Sequence, residues 1–436
     1  MREQTARQAQ DGLTPMGEGY LQETWATSEP EFLNMLQTVW KNIDKEELVA
    51  LTRNLIRIPS VYRSNSPSGN EKLVAEYLAR YLKEEGFAVQ TEEAEPNRPN
   101  VWAVFGGSPG KTILFEGHTD VVTEGDSEDW RYPPFEGVIE GGRIYGRGAC
   151  DTKGNLAAAI MAVRAIKRAG QPFPGRIILC IPVDEEGLML GIKQFIKAGH
   201  AEGIDGAVIC EPEENQLCVT QKGALRISVR VQGKMAHGAM PLSGVNPITR
   251  AARFVVAVEA LEQEEILKHG KDPFLGYPSF TPTIMMAPEN AEPQINVMPA
   301  QALVALDIRT IPGQSHPEII QMLKDCLARL KAEDPLFEAE LDVIEERPWT
   351  KTPMSDPVVQ SMTAAFIQTT GEKPYYNGVP GATDGTFLYS WAGIPIITTG
   401  AGNRFVPHQK DEWVDIDELE TACKLYAATA LNFLLH

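Results

Sequence analysis

Positive charge is in short supply beside negative charge in this chain. Lys and Arg number 40 against 59 Asp and Glu, a formal net charge of −19 over 436 residues. No basic cluster interrupts that excess, which argues against a nucleic-acid partner, because phosphate backbones are held mainly by grouped Lys and Arg. No stretch approaches the roughly 20 apolar residues that a membrane-spanning helix requires, so no membrane partner is expected. The opening Met1-Arg2-Glu3-Gln4-Thr5 runs into polar residues rather than an apolar segment, and no secretory signal is expected either. No Gly-x-Gly-x-x-Gly follows an apolar run, which removes the dinucleotide-binding reading. Cysteine is sparse: Cys150, Cys180, Cys210, Cys218, Cys326 and Cys423 form no Cys-x-x-Cys pair. Most lie within apolar runs, as buried reduced thiols of a cytoplasmic protein would.

What is present is a long α/β pattern. The chain exceeds the size of one ordinary core, so two domains are expected. Residues 1–43 read as an N-terminal extension, with a short helix over Glu31–Trp40 carrying Phe32, Leu33, Leu36 and Trp40 on one side. Asp44 and Glu47 form a capping box before the stripe Leu48, Leu51, Leu55 and Ile56; Ser68 and Glu71 repeat it before Leu73, Val74, Tyr77, Leu78, Tyr81 and Leu82. Apolar strands follow at Val101–Phe105, Thr112–Phe115, Ile177–Val183, Ala207–Cys210 and Ile394–Thr398, with a helix over Leu156–Arg168. Such alternation predicts a mixed, largely parallel sheet flanked by helices. Between 222 and 348 the order becomes strand, helix, strand, strand, helix, strand, which is ferredoxin-like. The division expected is 44–221 and 349–436 for the catalytic domain, with 222–348 inserted.

The polar residues at the ends of these runs carry the chemistry. His118 and Asp120 follow one strand, Asp184-Glu185-Glu186 another, and Cys210-Glu211-Pro212 a third; Asp151 lies in Gly148-Ala149-Cys150-Asp151 and His408 follows Pro407. Ligands of parallel sheets gather at the carboxyl ends of strands. Imidazoles and carboxylates suit two divalent cations sharing one carboxylate, and a spare carboxylate, Glu185, is left to move protons. Singly each has a plainer reading: His118 a hydrogen-bonded core residue, Asp151 a helix N-cap, Asp120 a loop cap, Glu185-Glu186 a solvated turn.

Taken together, the order His, Asp, Glu-Glu, Glu, His resembles the M20 metallopeptidase family, from about residue 44 to the C-terminus. The resemblance implies a zinc-exopeptidase-like catalytic domain interrupted by a lid that is also a dimerisation surface. It implies that Asp151 bridges two metals, with His118 and Glu211 completing one site and Glu186 and His408 the other. Glu185 becomes the general base and acid, and Asp120 orients the His118 ring. His237 is placed to stabilise an oxyanion in a partner subunit, although alone it reads as a loop histidine. Asn296, Arg309, Gly381 and Thr383 match substrate-side positions, Arg309 offering a fork for a carboxylate unless it only pairs with Asp307. Many relatives carry an acid or Met where Thr152 stands, and the peptide bond before it is often cis in the family.

The expectation is therefore a cytoplasmic hydrolase of an amide-type C–N bond in a small carboxylate-bearing substrate, an N-acyl amino acid or dipeptide. Its cofactors would be two divalent metal ions per subunit, zinc before cobalt or manganese, and its partner a second copy of the chain. The alternatives are hydrolytic deamination of an unusual amine such as an aromatic one, a metal-dependent phosphoesterase, and a catalytically silent dimeric binding protein.

Overall fold

The computed structural model describes residues 30–64, 66, 69–107 and 109–436. In chain order the larger elements are α1 (Pro30–Trp40), α2 (Lys45–Ile56), α3 (Lys72–Glu84), β1 (Ala88–Glu95), β2 (Arg98–Gly107), β3 (Thr112–Glu116), α4 (Lys153–Ala169), β4 (Gly175–Ile181), α5 (Leu190–Lys197), β5 (Gly206–Ile209) and β6 (Leu217–Gln221). Then come β7 (Gly223–Gln232), α6 (Pro247–His269), β8 (Ser279–Met286), β9 (Gln301–Thr310), α7 (His316–Glu333) and β10 (Glu338–Arg347). The chain closes with β11 (Thr350–Lys351), α8 (Pro357–Thr370), β12 (Tyr376–Val379), α9 (Gly385–Ala392), β13 (Ile396–Thr398) and α10 (Ile416–Leu435).

The large sheet runs β1-β2-β4-β3-β5-β13-β6-β11, with β12 also beside β6. Its centre, β4-β3-β5-β13, is parallel, and antiparallel strands flank it on both sides. Side chains alternate across it with the period of two that a pleated strand imposes. Ile113, Phe115, Ile177 and Leu179 join the core formed with α1 to α4, α8 and α10, whereas Leu114, Ile178 and Cys180 join the core formed with α5 and α9. A sheet covered on both faces leaves β3 buried throughout, with apolar Ile113, Leu114 and Phe115 at its centre and polar Thr112 and Glu116 at its ends. Polar groups are displaced to the strand ends, and that is where the candidate site forms.

The second sheet runs β8-β9-β7-β10, antiparallel, with ferredoxin-like connectivity. Leu225, Ile227, Val229 and Val231 of β7 face Phe254 and Val258 of α6 and Ile319 and Leu323 of α7 in a separate core. The two sheets meet where β6 passes into β7. A Cβ on Gly223 would lie 2.4 Å from Thr310 Oγ1 and 2.8 Å from the Trp349 nitrogen, so only glycine fits the crossing.

Of the two expected capping boxes, the Asp44 cap holds. The Asp44 side chain accepts from the Glu47 N–H at the start of α2. Others need correction. α1 buries Phe32, Leu36 and Val39 and leaves Leu33 exposed, because the core meets a face one residue further round. Ser68 lies outside the described residues, and Glu71 makes no side-chain cap on α3: its carboxylate is buried against Arg98. Instead Asn70 Oδ1 accepts from the Lys72 N–H. The last strand starts at Ile396 rather than 394. All six cysteines are buried and unpaired. No helix among the described residues is long and apolar enough to cross a membrane.

Candidate metal centre

His118 lies two residues beyond β3 and is fully buried. Its Nδ1 is 3.0 Å from the Asp120 carbonyl oxygen and 3.5 Å from Asp120 Oδ1. Its Nε2 faces Asp151 Oδ1 at 3.1 Å, Glu211 Oε1 at 3.5 Å and Glu185 Oε2 at 3.9 Å. The other Asp151 oxygen, Oδ2, is 3.3 Å from His408 Nε2, which is also 2.9 Å from Glu186 Oε1. Asp151 thus stands between two imidazoles, one oxygen toward each. The Asp151–Thr152 peptide bond is cis.

The loops are held from behind. Both Asp120 oxygens accept backbone N–H groups, Oδ1 from Glu185 at 3.1 Å and Oδ2 from Glu186 at 3.0 Å. Glu412 Oε1 accepts from the Cys150 and Asp151 N–H groups at 2.9 and 3.0 Å, and its Oε2 takes Arg147 Nη1 at 2.6 Å. Ligand-bearing loops tied this way keep their geometry without help from the ligand.

Electrostatically the site is overcrowded with acid. Burial pushes Glu185 and Glu211 well above the usual carboxylate range, Glu186 to about 6 and Glu116 to about 7. Burial likewise opposes charge on Asp151, but hydrogen bonds from His118 and His408 outweigh it and hold its carboxyl below the ordinary value. For His118 burial disfavours the cation, yet Asp120 and Asp151 prevail and raise its pKa; contacts with Asp151 and Glu186 lift His408 to about 10. Positive charge is what this site draws in, and divalent cations would supply it.

The donors fit such ions. One ligand atom each from His118, Asp151 and Glu186 lies within 4.8 Å of the others. Glu211 Oε1 is buried without a hydrogen-bond partner, an acceptor left waiting beside His118. Nitrogen and carboxylate oxygen together suit zinc, cobalt or manganese.

The remaining candidates are placed elsewhere. His237 is exposed on a short ribbon, Ala236–His237 against Val297–Met298, next to Asn296. Its Nδ1 accepts from the Ala239 N–H at 3.0 Å, and the Asn296 carbonyl accepts from the Gly238 N–H at 2.8 Å. These bonds stay within the ribbon. Arg309 directs Nε and Nη2 to the two Asp307 oxygens at 2.6 and 3.1 Å, so its fork is engaged within its own strand. Thr383 is buried, its N–H and hydroxyl both donating to Gln221 Oε1. A Cβ on Gly381 would meet nothing within 4 Å; the glycine needed for close packing in that segment is Gly385, whose Cβ would lie 2.8 Å from Ile209 Cγ1.

Sequence reasoning missed several residues. Glu412 sits in Lys410-Asp411-Glu412, which reads as solvated charge. Glu116 and Asp384 are fully buried, with both carboxylate oxygens of each unpartnered among the described residues. An acid at a strand end is a visible signal, as at Glu116, but its lack of partners is not.

The chain is similar to known proteins over most of its length. Peptidase family M20/M25/M40 matches residues 114–432. A succinyl-diaminopimelate desuccinylase of Methylocella silvestris is 29% identical over 395 residues, covering 87% of this chain and 96% of its own. An N-formyl-4-amino-5-aminomethyl-2-methylpyrimidine deformylase of Bacillus subtilis is 26% identical over 420 residues, covering 90% and 94%. Among solved structures, an M20 family metallo-carboxypeptidase from Sulfolobus solfataricus superposes with a TM-score of 0.75 at 19% identity, over 89% of this chain and 100% of that one, and so shares the fold.

The raised pKa values make a linked prediction. Groups whose pKa is higher folded than unfolded give stability below the unfolded value and lose it as pH rises through the folded one. Glu186 at about 6, Glu116 at about 7 and His408 at about 10 all have that sign, as do Glu185 and Glu211. Asp151 and Asp120 have the opposite sign, but their windows lie below the ordinary Asp range; Lys153, lowered to about 7 by burial, also has it and offsets one of the raised groups above pH 7. The metal-free protein should therefore melt at falling temperature from roughly pH 5 to 9, and added zinc should restore more at the alkaline end, where ligands are already deprotonated. Calorimetry showing a metal-free Tm that rises over this range would contradict the assignment.

Proposed function

The chain belongs to peptidase family M20/M25/M40, the metal-dependent hydrolases of amide bonds, and from that premise we propose that it removes the acyl group from a small N-acylated amine bearing a carboxylate. The observation that carries this reading is Asp151 set between His118 and His408 with Glu185 buried alongside. Asp151 would bridge two divalent ions, zinc by preference, with His118 and Glu211 on one side and Glu186 and His408 on the other. Bound there, the ions would polarise the scissile carbonyl and acidify an attacking water.

The protein's own groups do the rest. Glu185 is close to the ligands but not needed as one, and its Oε2 is 3.9 Å from His118 Nε2. Its buried carboxylate takes a proton from the water and returns it to the leaving nitrogen. Asp120 keeps the His118 ring and the Glu185-Glu186 backbone in one frame. Arg309 meets the substrate carboxylate by exchanging Asp307 for it, with Asn296, Gly381 and Thr383 on the substrate side. The desuccinylase and the deformylase both carry names of acyl-removing enzymes, which favours deacylation over peptide cleavage.

Two copies would pair through the smaller sheet. β8 is an edge strand with Ile284, Met285 and Met286 exposed, and such an edge invites pairing. His237 would then reach the site of the partner and hold the oxyanion. The unpaired cysteines support a reducing, cytoplasmic setting.

Turnover of N-succinyl, N-formyl and N-acetyl amino acids and of dipeptides by the metal-reconstituted protein tests the proposal. Replacement Glu185→Gln should keep the metal content and lower kcat by about 10²–10⁴-fold, the usual worth of a general base; parental turnover in that variant would remove Glu185 from the mechanism. Arg309→Gln should raise KM about tenfold or more for carboxylate-bearing substrates while changing kcat less. An equal KM for the parent and this variant would show that Arg309 serves only Asp307.

A further inference from the structure

Asp184 immediately precedes Glu185, and its backbone sits in the left-handed region, φ +69°. A non-glycine residue stays there only when its surroundings hold it. Asp184 Oδ2 accepts from the Leu188 N–H at 2.9 Å, and its carbonyl oxygen accepts from the Met189 N–H at 2.7 Å, so the turn is wound around this one residue. Its other carboxylate oxygen, Oδ1, accepts from Arg98 Nη2 at 2.5 Å.

Arg98 opens β2, far along the chain, and its side chain is only 4% exposed. It grips Glu71 through Nε at 2.9 Å and Nη2 at 2.5 Å, reaches Glu95 at 3.3 Å, and its guanidinium lies 3.9 Å from the centre of the Tyr62 ring. None of these partners belongs to the candidate metal centre. The planar guanidinium is thus held by Glu71, Glu95 and the Tyr62 ring, and its Nη2, shared with Glu71, also donates to Asp184. On the far side of the turn, Asp120 accepts the Glu185 and Glu186 N–H groups and Arg347 Nη2 donates to the Gly187 carbonyl at 2.5 Å.

We propose that Arg98 is a positioning residue: through Asp184 it locks the 184–187 turn so that Glu186 faces the ligand cluster while Glu185 stays free beside it. The inference rests on the deacylase reading for its catalytic consequence, but the lock itself is a property of the turn. Without Arg98, Asp184 would be a buried carboxylate with no cation, and the turn would reopen to hydrate it.

The test is amide hydrogen exchange of the full chain, with and without zinc, on Arg98→Met. The amides of residues 185–189 should exchange about tenfold faster or more, with distant segments unchanged. In the zinc-loaded protein kcat should fall about 30-fold or more with KM within about threefold and metal content normal. Arg98→Lys should recover part of both losses, Glu71→Gln should cost little, and Arg98→Met combined with Asp184→Asn should be no worse than either alone. Should Arg98→Met fail to fold, Arg98→Lys and Asp184→Asn carry the same readouts. Unchanged exchange in this segment, kcat within about threefold of the parent, or losses that multiply in the double variant would each overturn the proposal. Because exchange needs no substrate, a parent that hydrolyses none of the acyl compounds would sink the functional reading and leave the lock to be judged by exchange alone.

Discussion

The constraint on which this structure turns is repulsion among buried carboxylates. Asp120, Asp151, Glu185, Glu186 and Glu211 converge on one point, with Glu116 and Asp384 buried within electrostatic reach. The basic groups in contact with them are the His118 and His408 imidazoles, whose pKa values these carboxylates raise. Lys153, also buried, spends its ammonium on the Leu55 and Ile58 carbonyls, and burial has lowered its pKa to about 7. Such a gathering is unfavourable in a low-dielectric interior unless protons or metal ions neutralise it. A fold that maintains it is maintaining a place for positive charge.

The architecture makes that possible by separating tasks. The large sheet is apolar on both faces, so its strands form a stiff platform, and the acidic groups stand on the loops at their ends. Two of the loops are then anchored from behind: the Glu185-Glu186 turn by Asp120 and by Arg98, which lies outside the cluster, and Asp151 by Glu412. The anchors satisfy backbone donors that would otherwise compete for the ligand carboxylates. The second sheet has its own core and meets the first where Gly223 permits close crossing, with Arg347 bonding back to the Gly187 carbonyl. Of the substrate-side candidates only Arg309 lies on that sheet; Asn296 is beside the separate Ala236–His237 ribbon, and Thr383 bonds Gln221 of the large sheet.

How much of this could be read beforehand depended on distance along the chain. The cap at Asp44 was legible because donor and acceptor are three residues apart. β2, β3, β4, β5 and β13 were legible as short apolar runs, whereas β1, β6, β11 and β12 were not recognised; the ferredoxin-like order was legible because β7 alternates cleanly. The convergence of His118, Asp151, Glu186, Glu211 and His408 came from motif order, and the geometry now gives it a physical form. The anchors were invisible. Arg98 and Asp184 are 86 positions apart, and Glu412 is 261 from Asp151, with no periodicity connecting either pair. The face of α1 was misjudged at Leu33 because a short amphipathic stripe does not say which way the neighbouring helices will approach.

Counting bound metal decides the central point most directly. Equilibrium dialysis against zinc followed by elemental analysis should find about two ions per chain in the parent protein, the stoichiometry of a shared-carboxylate pair. In Asp151→Asn that number should fall below one, because the carboxylate set between the two imidazoles loses its charge. Parental stoichiometry in Asp151→Asn, or no tightly held zinc in the parent, would contradict a metal pair built around Asp151.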